Sequence, residues 1–427
     1  MALPGVATIA SSQAILKTKY NQAKVYWLAY KNNPGFATIK KLTDFDGNNK
    51  VVAVQTETPQ GGGSSIGQAQ SNMNPGVYKN FTITRIEDFG VARVKGQALR
   101  AAQKNTGALV DLWTREMDGM IHMTTRSAAI HMWRTGTGTR GFINSSVAAT
   151  TITLSKQTDV TNFAVNMPLQ ATNGDGGSVR SSGATATITG IDRVLGKLTF
   201  GSNLSALIAA VQNGDALVRA GDYVGAVTAS TNTMITGAGA WVPPAASRPV
   251  SSTAFFGLDR SSDDTRLAGL YLDATNLGMQ EALLEALALL GVEANGVLSG
   301  EPIIWMHPRD KANLVKEIGG KVQYTRQDVK IPGTEARVGF KVLEFEADTG
   351  TSKVMTDINI PRGTVFVTYW DTWALESLGP APQILNFDTN EFLRVTDEDS
   401  YEVRGGYYAQ MSNLAPVGTV NVSNYGS

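Results

Sequence analysis

Residues 51–133 limit the fold more than any other part of the chain: two extended arms close on a glycine-rich tip, and a run with helical spacing follows directly. The arms, Val51 to Glu57 and Val77 to Glu87, are rich in Val, Thr, Tyr, Phe and Ile, which suit a pleated strand. Between them, Thr58 to Gly76 contains Pro59, Gly61, Gly62, Gly63, Gly67 and the pair Asn74-Pro75, a soft stretch that cannot build a core of its own. A hairpin serving only its own sheet closes in about two to five residues. A tip this long is expected to reach out to a partner, and the expected partner is another copy of the chain.

From Gly90 the apolar positions Val91, Val94, Ala98, Ala101, Leu109, Leu112, Met120, Met123 and Ile130 fall three or four residues apart, or at sums of these, and form one stripe. A helix of about 40 residues would span roughly 60 Å and brace a flat, extended subunit. Gly96, Gly107 and Gly119 each weaken it by about 1 kcal/mol relative to Ala. They mark bends or close backbone approach, or they are simply tolerated in a long core helix.

A chain of 427 residues with 42% hydrophobic content can bury two or more cores. Lys plus Arg and Asp plus Glu are both 37, so bulk positive charge does not hold a nucleic acid. Cysteine is absent, which excludes disulfides and thiolate metal sites and fits assembly in a reducing cytoplasm. Met1 to Ala10 lacks a basic region followed by an apolar run, and no window approaches a membrane span. Without a signal peptide the sequons Asn80-Phe81-Thr82 and Asn144-Ser145-Ser146 carry no weight.

Residues 1–50 read as an arm, with a helical stretch near Gln13 to Lys31 and Asn32-Asn33-Pro34-Gly35 as its stop. Tyr20, Tyr26, Trp27 and Tyr30 load it with aromatics that are expected to dock on the same subunit or on a neighbour. After Trp133 the run from Thr135 to Gly141 reads as a flexible joint. Short strand candidates follow at Thr150 to Ser155, Phe163 to Gln170, Ala184 to Asp192, Lys197 to Gly201, Ala216 to Arg219 and Ala226 to Thr236. That spacing predicts an all-β barrel or sandwich inserted at 141–250, ending in a linker at Trp241-Val242-Pro243-Pro244. Beyond it the pattern is mixed. Ser261 to Asp264 cap a helix carrying Leu267, Leu270, Ala274, Leu277, Leu284 and Leu287, with Gly291 as its stop. A strand at Ile303 to Met306, a helix at Pro308 to Ile318, and strands at Val338 to Phe345, Thr364 to Trp370, Phe392 to Thr396 and Ser400 to Met411 complete the chain. The last of these is expected to return to the long helix.

Several motifs tempt a catalytic reading and lack its context. Gly136 to Gly141 spells GxGxxG, but a helix precedes it and strands follow, the reverse of what phosphate binding needs. Gly63-Ser64-Ser65-Ile66-Gly67 spells GxSxG on a hairpin tip instead of a strand-to-helix elbow, and His307 is the only downstream His outside the long helix. His122 and His131 stand nine residues apart, which does not share a metal on one helix face. Asp44-Phe45-Asp46-Gly47-Asn48 begins like a calcium loop, yet Gln55 replaces the closing Glu. Asp397-Glu398-Asp399 reads as a solvated acidic turn. No catalytic, cofactor or metal site is expected, and the chain does not read as an enzyme.

The order of parts resembles the major capsid protein of tailed bacteriophages, the Hong Kong 97-type fold. The likeness is carried by Tyr78-Lys79-Asn80-Phe81-Thr82-Ile83-Thr84-Arg85, by Met306-His307-Pro308-Arg309 with Leu314, and by Tyr401-Glu402-Val403-Arg404-Gly405-Gly406-Tyr407-Tyr408. The resemblance implies an α+β fold with an N-terminal arm (1–50), an E-loop hairpin (51–89), a P-domain spine helix (90–140), the inserted β-domain (141–250), an A-domain (251–360) and its return with P-domain strands (361–427). It implies hexamers and pentamers of an icosahedral shell enclosing double-stranded DNA, formed in the bacterial host cytoplasm. Contacts between subunits would involve Tyr26, Trp27, Gly61, Gly62, Gly63, Ile66, Asn74 and Tyr78. No Lys lies between Lys50 and Lys79, so the E-loop cross-link of some relatives is not expected. A long charged scaffolding segment is also missing, which implies a separate scaffolding protein beside the portal and any decoration proteins; packaged DNA would be touched only non-specifically. An alternative keeps the fold and encloses enzymes, as an encapsulin-like nanocompartment.

Overall fold

The computed structural model describes residues 32–97, 112–223, 233–250, 254–294, 298, 300–318, 325–329, 338–347, 350–385, 393–395 and 398–425. Residues 33–427 form one compact unit built on two sheets and a closed barrel.

The first sheet has six strands. Its centre is the long return strand Ser400–Asn413, which pairs antiparallel with Trp373–Ser377 and, from Ser400↔Lys95 to Ala409↔Ile86, with Ile86–Lys95. Side chains of Ile86–Lys95 are alternately buried and exposed along its whole length, as a half-covered strand requires. The buried side faces the helix Leu112–His131: a Cβ on Gly90 would stand 2.8 Å from Met120 Cγ, and one on Gly405 2.6 Å from Met120 Cε. Glycines on both strands thus let the helix settle close to the sheet. The return strand therefore does come back to the long helix.

This arrangement corrects the expectation of a helix beginning at Gly90. Val91 and Val94 lie on opposite faces of a strand, and their three-residue spacing copied a helical period by chance. Ala98, Ala101, Gly107 and Leu109 lie outside the described residues. A Cβ on Gly96 would stand 2.7 Å from the Asp399 carboxylate, a close approach, whereas Gly119 has nothing within 4 Å and is simply tolerated.

The second sheet has seven strands, in the order Leu270–Asp273, Thr419–Ser423, Thr364–Thr368, Ile303–Met306, Gly350–Thr356, Val338–Ala347 and Thr325–Val329. Helices Met279–Glu293 and Pro308–Ile318 share its apolar core, through Leu283, Leu287, Leu290, Leu314 and Ile318. The Glu317 carboxylate accepts the N–H groups of Met279 and Gln280 at 3.0 and 3.2 Å, closing the first helix's open N-terminus with the charge its dipole favours.

One helix from Asp264 to Leu287 does not form. Asp263 does cap the Arg266 N–H at 3.2 Å, but that helix ends at Leu267. Gly269 turns the chain at φ +67°, and Leu270 enters the sheet opposite Val420. A new helix starts after Gly278 and continues past Gly291 to Glu293. The helical stretch expected near Gln13 to Lys31 lies outside the described residues, and Pro34 after it starts a five-residue helix of its own, where its missing N–H is harmless. One other expected break is overturned. Trp241, expected in a linker, ends the helix Ala238–Trp241 and is fully buried, packed on Phe81, Phe255, Phe256 and Trp373 with its indole N–H on Met411 O at 3.2 Å.

Strands Thr139–Ser145, Thr151–Leu154, Pro168–Thr172, Ala186–Asp192, Lys197–Phe200 and Ala216–Arg219 close into a barrel. It is filled by Ile143, Ile152, Leu169, Ile188, Leu198 and Phe200, a core separate from that of the sheets. The first and last strands are neighbours, Leu217 opposite Gly141. Of the candidate at Ala226 to Thr236, residues 226–232 lie outside the described residues and the remainder is not a strand.

Candidate functional site

The hairpin Asn49–Thr84 is anchored at its root and projects beyond it. Its strands pair from Asn49↔Thr84 to Glu57↔Val77 and touch no other strand along most of their length. The second arm stops at Thr84 and a separate strand begins at Ile86, so the expected arm to Glu87 is two elements in two sheets. At the root Val52, Phe81 and Ile83 join the apolar core, and the Phe81 ring meets Trp241 edge-on at 5.1 Å. Thr82 N–H donates to Phe256 O at 2.8 Å, and Lys50 pairs with buried Glu376 at 2.6 Å. Farther out, the Arg266 guanidinium donates to Thr56 O and pairs with Glu57 at 2.7 Å.

The tip is more ordered than its glycines suggest. Ile66–Ser71 forms a short helix whose first turn is capped by Ser65 Oγ, accepting from Gln68 N–H at 3.3 Å. Gln60 and Asn74 exchange backbone hydrogen bonds at 3.0 and 2.7 Å, and Asn72 Nδ2 donates to Gly62 O at 2.8 Å. A Cβ on Gly63 would stand 2.7 Å from Ala69 N, so glycine is needed there for close approach. Hydrogen bonds hold this loop without a core, and none of its helix is buried.

Gly61, Gly62, Gly63, Ile66, Asn74 and Tyr78 are all exposed, and all belong to this hairpin. Ile66, Met73 and Tyr78 are 80%, 74% and 68% exposed, while Thr58 to Tyr78 carries no charged residue. The surface offered is apolar and hydrogen-bonding. Met73 and the Arg266 support were missed from sequence; Met73 could have been found as an unpaired apolar residue in a polar loop. Tyr26 and Trp27 lie outside the described residues.

The tempting motifs acquire other jobs. Ser65 caps the tip helix. Gly136 and Gly138 adopt φ +86° and +84° in the joint, where a side chain on Gly138 would collide with Asp222 O. Asp175 fastens that joint by accepting the hydroxyls of Thr135, Thr137 and Thr139 at 2.7, 2.5 and 2.7 Å, so the expected flexible joint is latched. Asp44 pairs with Lys50 at 3.5 Å, and Gly47 completes a turn at φ +79°. Among the described residues no group of three or more His, Asp or Glu is placed to hold a metal.

A charged seam joins the barrel to the first sheet and the long helix. Arg219 of the barrel pairs with Asp88 of the sheet and with Asp222, both at 2.6 Å, and Tyr407 donates to Asp88 at 3.3 Å. Arg134 pairs with Asp159 at 2.9 Å, and Arg126 donates to Thr161 O at 2.9 Å. Arg140 reaches Ser127 Oγ at 3.2 Å and Asn162 O at 3.3 Å; burial first, then the nearby Arg219, push its guanidinium down to about 10. His131, at the helix end, is fully buried with neither ring nitrogen hydrogen-bonded. Burial, helped by Arg140, Arg134 and Arg219, holds it well below the usual histidine range.

No protein-family profile matches the sequence, and neither does any curated protein. Solved structures do match. The cyanophage A-1(L) capsid asymmetric unit superposes with a TM-score of 0.60 at 10% identity, covering 99% of this chain and 100% of that one. The capsid of a native GTA particle gives 0.50 at 9% identity, covering 99% and 100%. Identity this low speaks to fold, and the coverage leaves no large part of either chain unmatched. The chain has an α+β capsid fold of the Hong Kong 97 type.

Proposed function

We propose that the chain is the major capsid protein of a tailed bacteriophage, a structural subunit that assembles with copies of itself into an icosahedral shell around double-stranded DNA. The observation that carries this reading is the projecting hairpin: an anchored root, a fixed stem, and an uncharged tip displaying Ile66, Met73 and Tyr78 to solvent. A folded chain that holds several large apolar side chains away from its own core presents them to something else. The likeness of the fold to capsid subunits supports a second copy of the chain as that partner. In this reading the hairpin is the E-loop, Leu112–His131 belongs to the spine of the P-domain, and the seven-stranded sheet is the core of the A-domain.

The chemistry is association. Each tip would bury its apolar residues against a neighbour, and the hydrogen-bonded loop would meet that surface with little conformational entropy left to lose. Many modest contacts, repeated around a closed lattice, suffice for a stable shell. Scaffolding, portal and decoration proteins are the further partners this role implies, with the virion as its location. Deleting Gly61 to Ala69 tests the reading. A variant that folds but forms no closed particles by negative-stain microscopy, beside a parent that does, supports it; normal particles from the variant refute it.

A further inference from the structure

The seam between barrel and body has an unusual composition. The barrel and the sheets fill separate apolar cores, and the contacts described between them are largely charged or hydrogen-bonded. In its midst His131 is 0% exposed with both ring nitrogens unpartnered. Arg134 follows it on the chain, while Arg140 and Arg219 approach from two barrel strands. The carboxylates in this region are committed: Asp159 to Arg134, and Asp88 and Asp222 to Arg219, with Tyr407 also on Asp88. Arg140 has no carboxylate at ion-pair distance among the described residues.

We propose that His131 is an acid-sensitive release for the barrel, whose protonation forces open the seam that fixes the barrel to the long helix. A proton on this imidazole would add a cation to a buried group of arginines, with no uncommitted carboxylate beside it among the described residues, and burial of such a charge is prohibitive. The molecule's available response is to let water in at the seam. The helix side is held, since Trp133 packs on Trp305, Phe366 and Trp370 and donates to Asp357 at 3.3 Å. The barrel side hangs on Gly136 and Gly138, both at positive φ, beside the Asp175 latch. Opening would therefore pivot there.

Hydrogen–deuterium exchange of the full chain, corrected for intrinsic rates and followed from neutral to acid pH, tests this. Exchange across residues 132–145 and 216–223 should rise as pH falls below about 6.5, approaching tenfold per pH unit. Exchange in Ile303–Met306, a core strand beside the second buried histidine His307, should stay far slower than at the joint at every pH. His131→Phe, which fills the site without a titrating group, should remove the rise, and His131→Gln carries the same expectation should the ring not fit. Flat exchange at the joint in the parent chain overturns the proposal. So does an unchanged acid response in whichever variant folds, or exchange in the sheet as fast as that at the joint.

Discussion

Replacing Ile66 by Ser separates assembly from folding. Ile66 is 80% exposed and no residue of its helix is buried, so the subunit's own stability should change by no more than about 0.5 kcal/mol. In a shell the same side chain would be covered by a neighbour. Burying an isoleucine fully is worth about 1.5–3 kcal/mol, and an 80% exposed one has most of that still to gain, about 2 kcal/mol per contact. At about 1.4 kcal/mol per tenfold, each contact should weaken roughly 30-fold. The assay is the protein concentration at which particles first appear by light scattering, read beside urea unfolding of the unassembled subunit. The expected result is a large rise in that concentration with an unchanged unfolding midpoint. Because Thr58 to Tyr78 is uncharged, the difference between variant and parent should also be the same at low and high salt. Equal assembly of the two proteins would refute the reasoning, and so would a loss of fold, since it would mean that Ile66 serves its own subunit.

Trp241→Ala should destabilise the subunit by about 3–5 kcal/mol in denaturant unfolding, because it empties a fully buried aromatic cluster and leaves Met411 O without its donor. Arg266→Ala removes a half-exposed ion pair worth only about 0.2–1 kcal/mol, yet it frees the hairpin stem; proteolysis at Gly61 to Gly63 should quicken while the melting temperature barely moves. Burial lowers the folded-state pKa of His131 and His307, so below about 6.5 the unfolded chain binds protons that the folded chain refuses. Stability should be unaffected above that pH and fall on acidification by up to about 1.4 kcal/mol per pH unit for each group, with the His131 share read from parent minus His131→Phe in urea.

The legible parts of the fold were those whose period and punctuation agreed. The hairpin arms, the strand Ile303–Met306 with its following helix, and the short strands near 186, 197 and 216 have β-branched runs or amphipathic spacing bounded by Gly or Pro, and the strand near 151 has a β-branched run between serines. The misread segments shared one defect: apolar residues whose spacing suits two periods. Val91 and Val94 fit a helical stripe, yet Ser400–Asn413, more than three hundred residues away, provides the pairing that makes Ile86–Lys95 a strand. Leu267, Leu270 and Ala274 kept a helical rhythm through a turn set by Gly269. Trp241 beside two prolines looked like a linker because its partners, Phe81, Phe255 and Trp373, are scattered along the sequence. The candidate site was legible as exposed and glycine-rich. Its order was not, since a Ser65 cap and an Asn72 tether are single side-chain hydrogen bonds with no periodic signature.

The barrel leaves the body and rejoins it at nearly one point. Thr139 and Val218 are partners across adjacent strands, and Gly138 lies against Asp222. With its own filled interior and ends this close, the barrel occupies a natural graft site, since a compact module with neighbouring ends can be exchanged without straining its host. A short turn or an unrelated small domain could be spliced between Thr137 and Asp222 without interrupting either sheet or the hairpin, once Asp88 and Arg134, which lose Arg219 and Asp159, are made neutral. Every copy of the subunit would then present the foreign module in the same place.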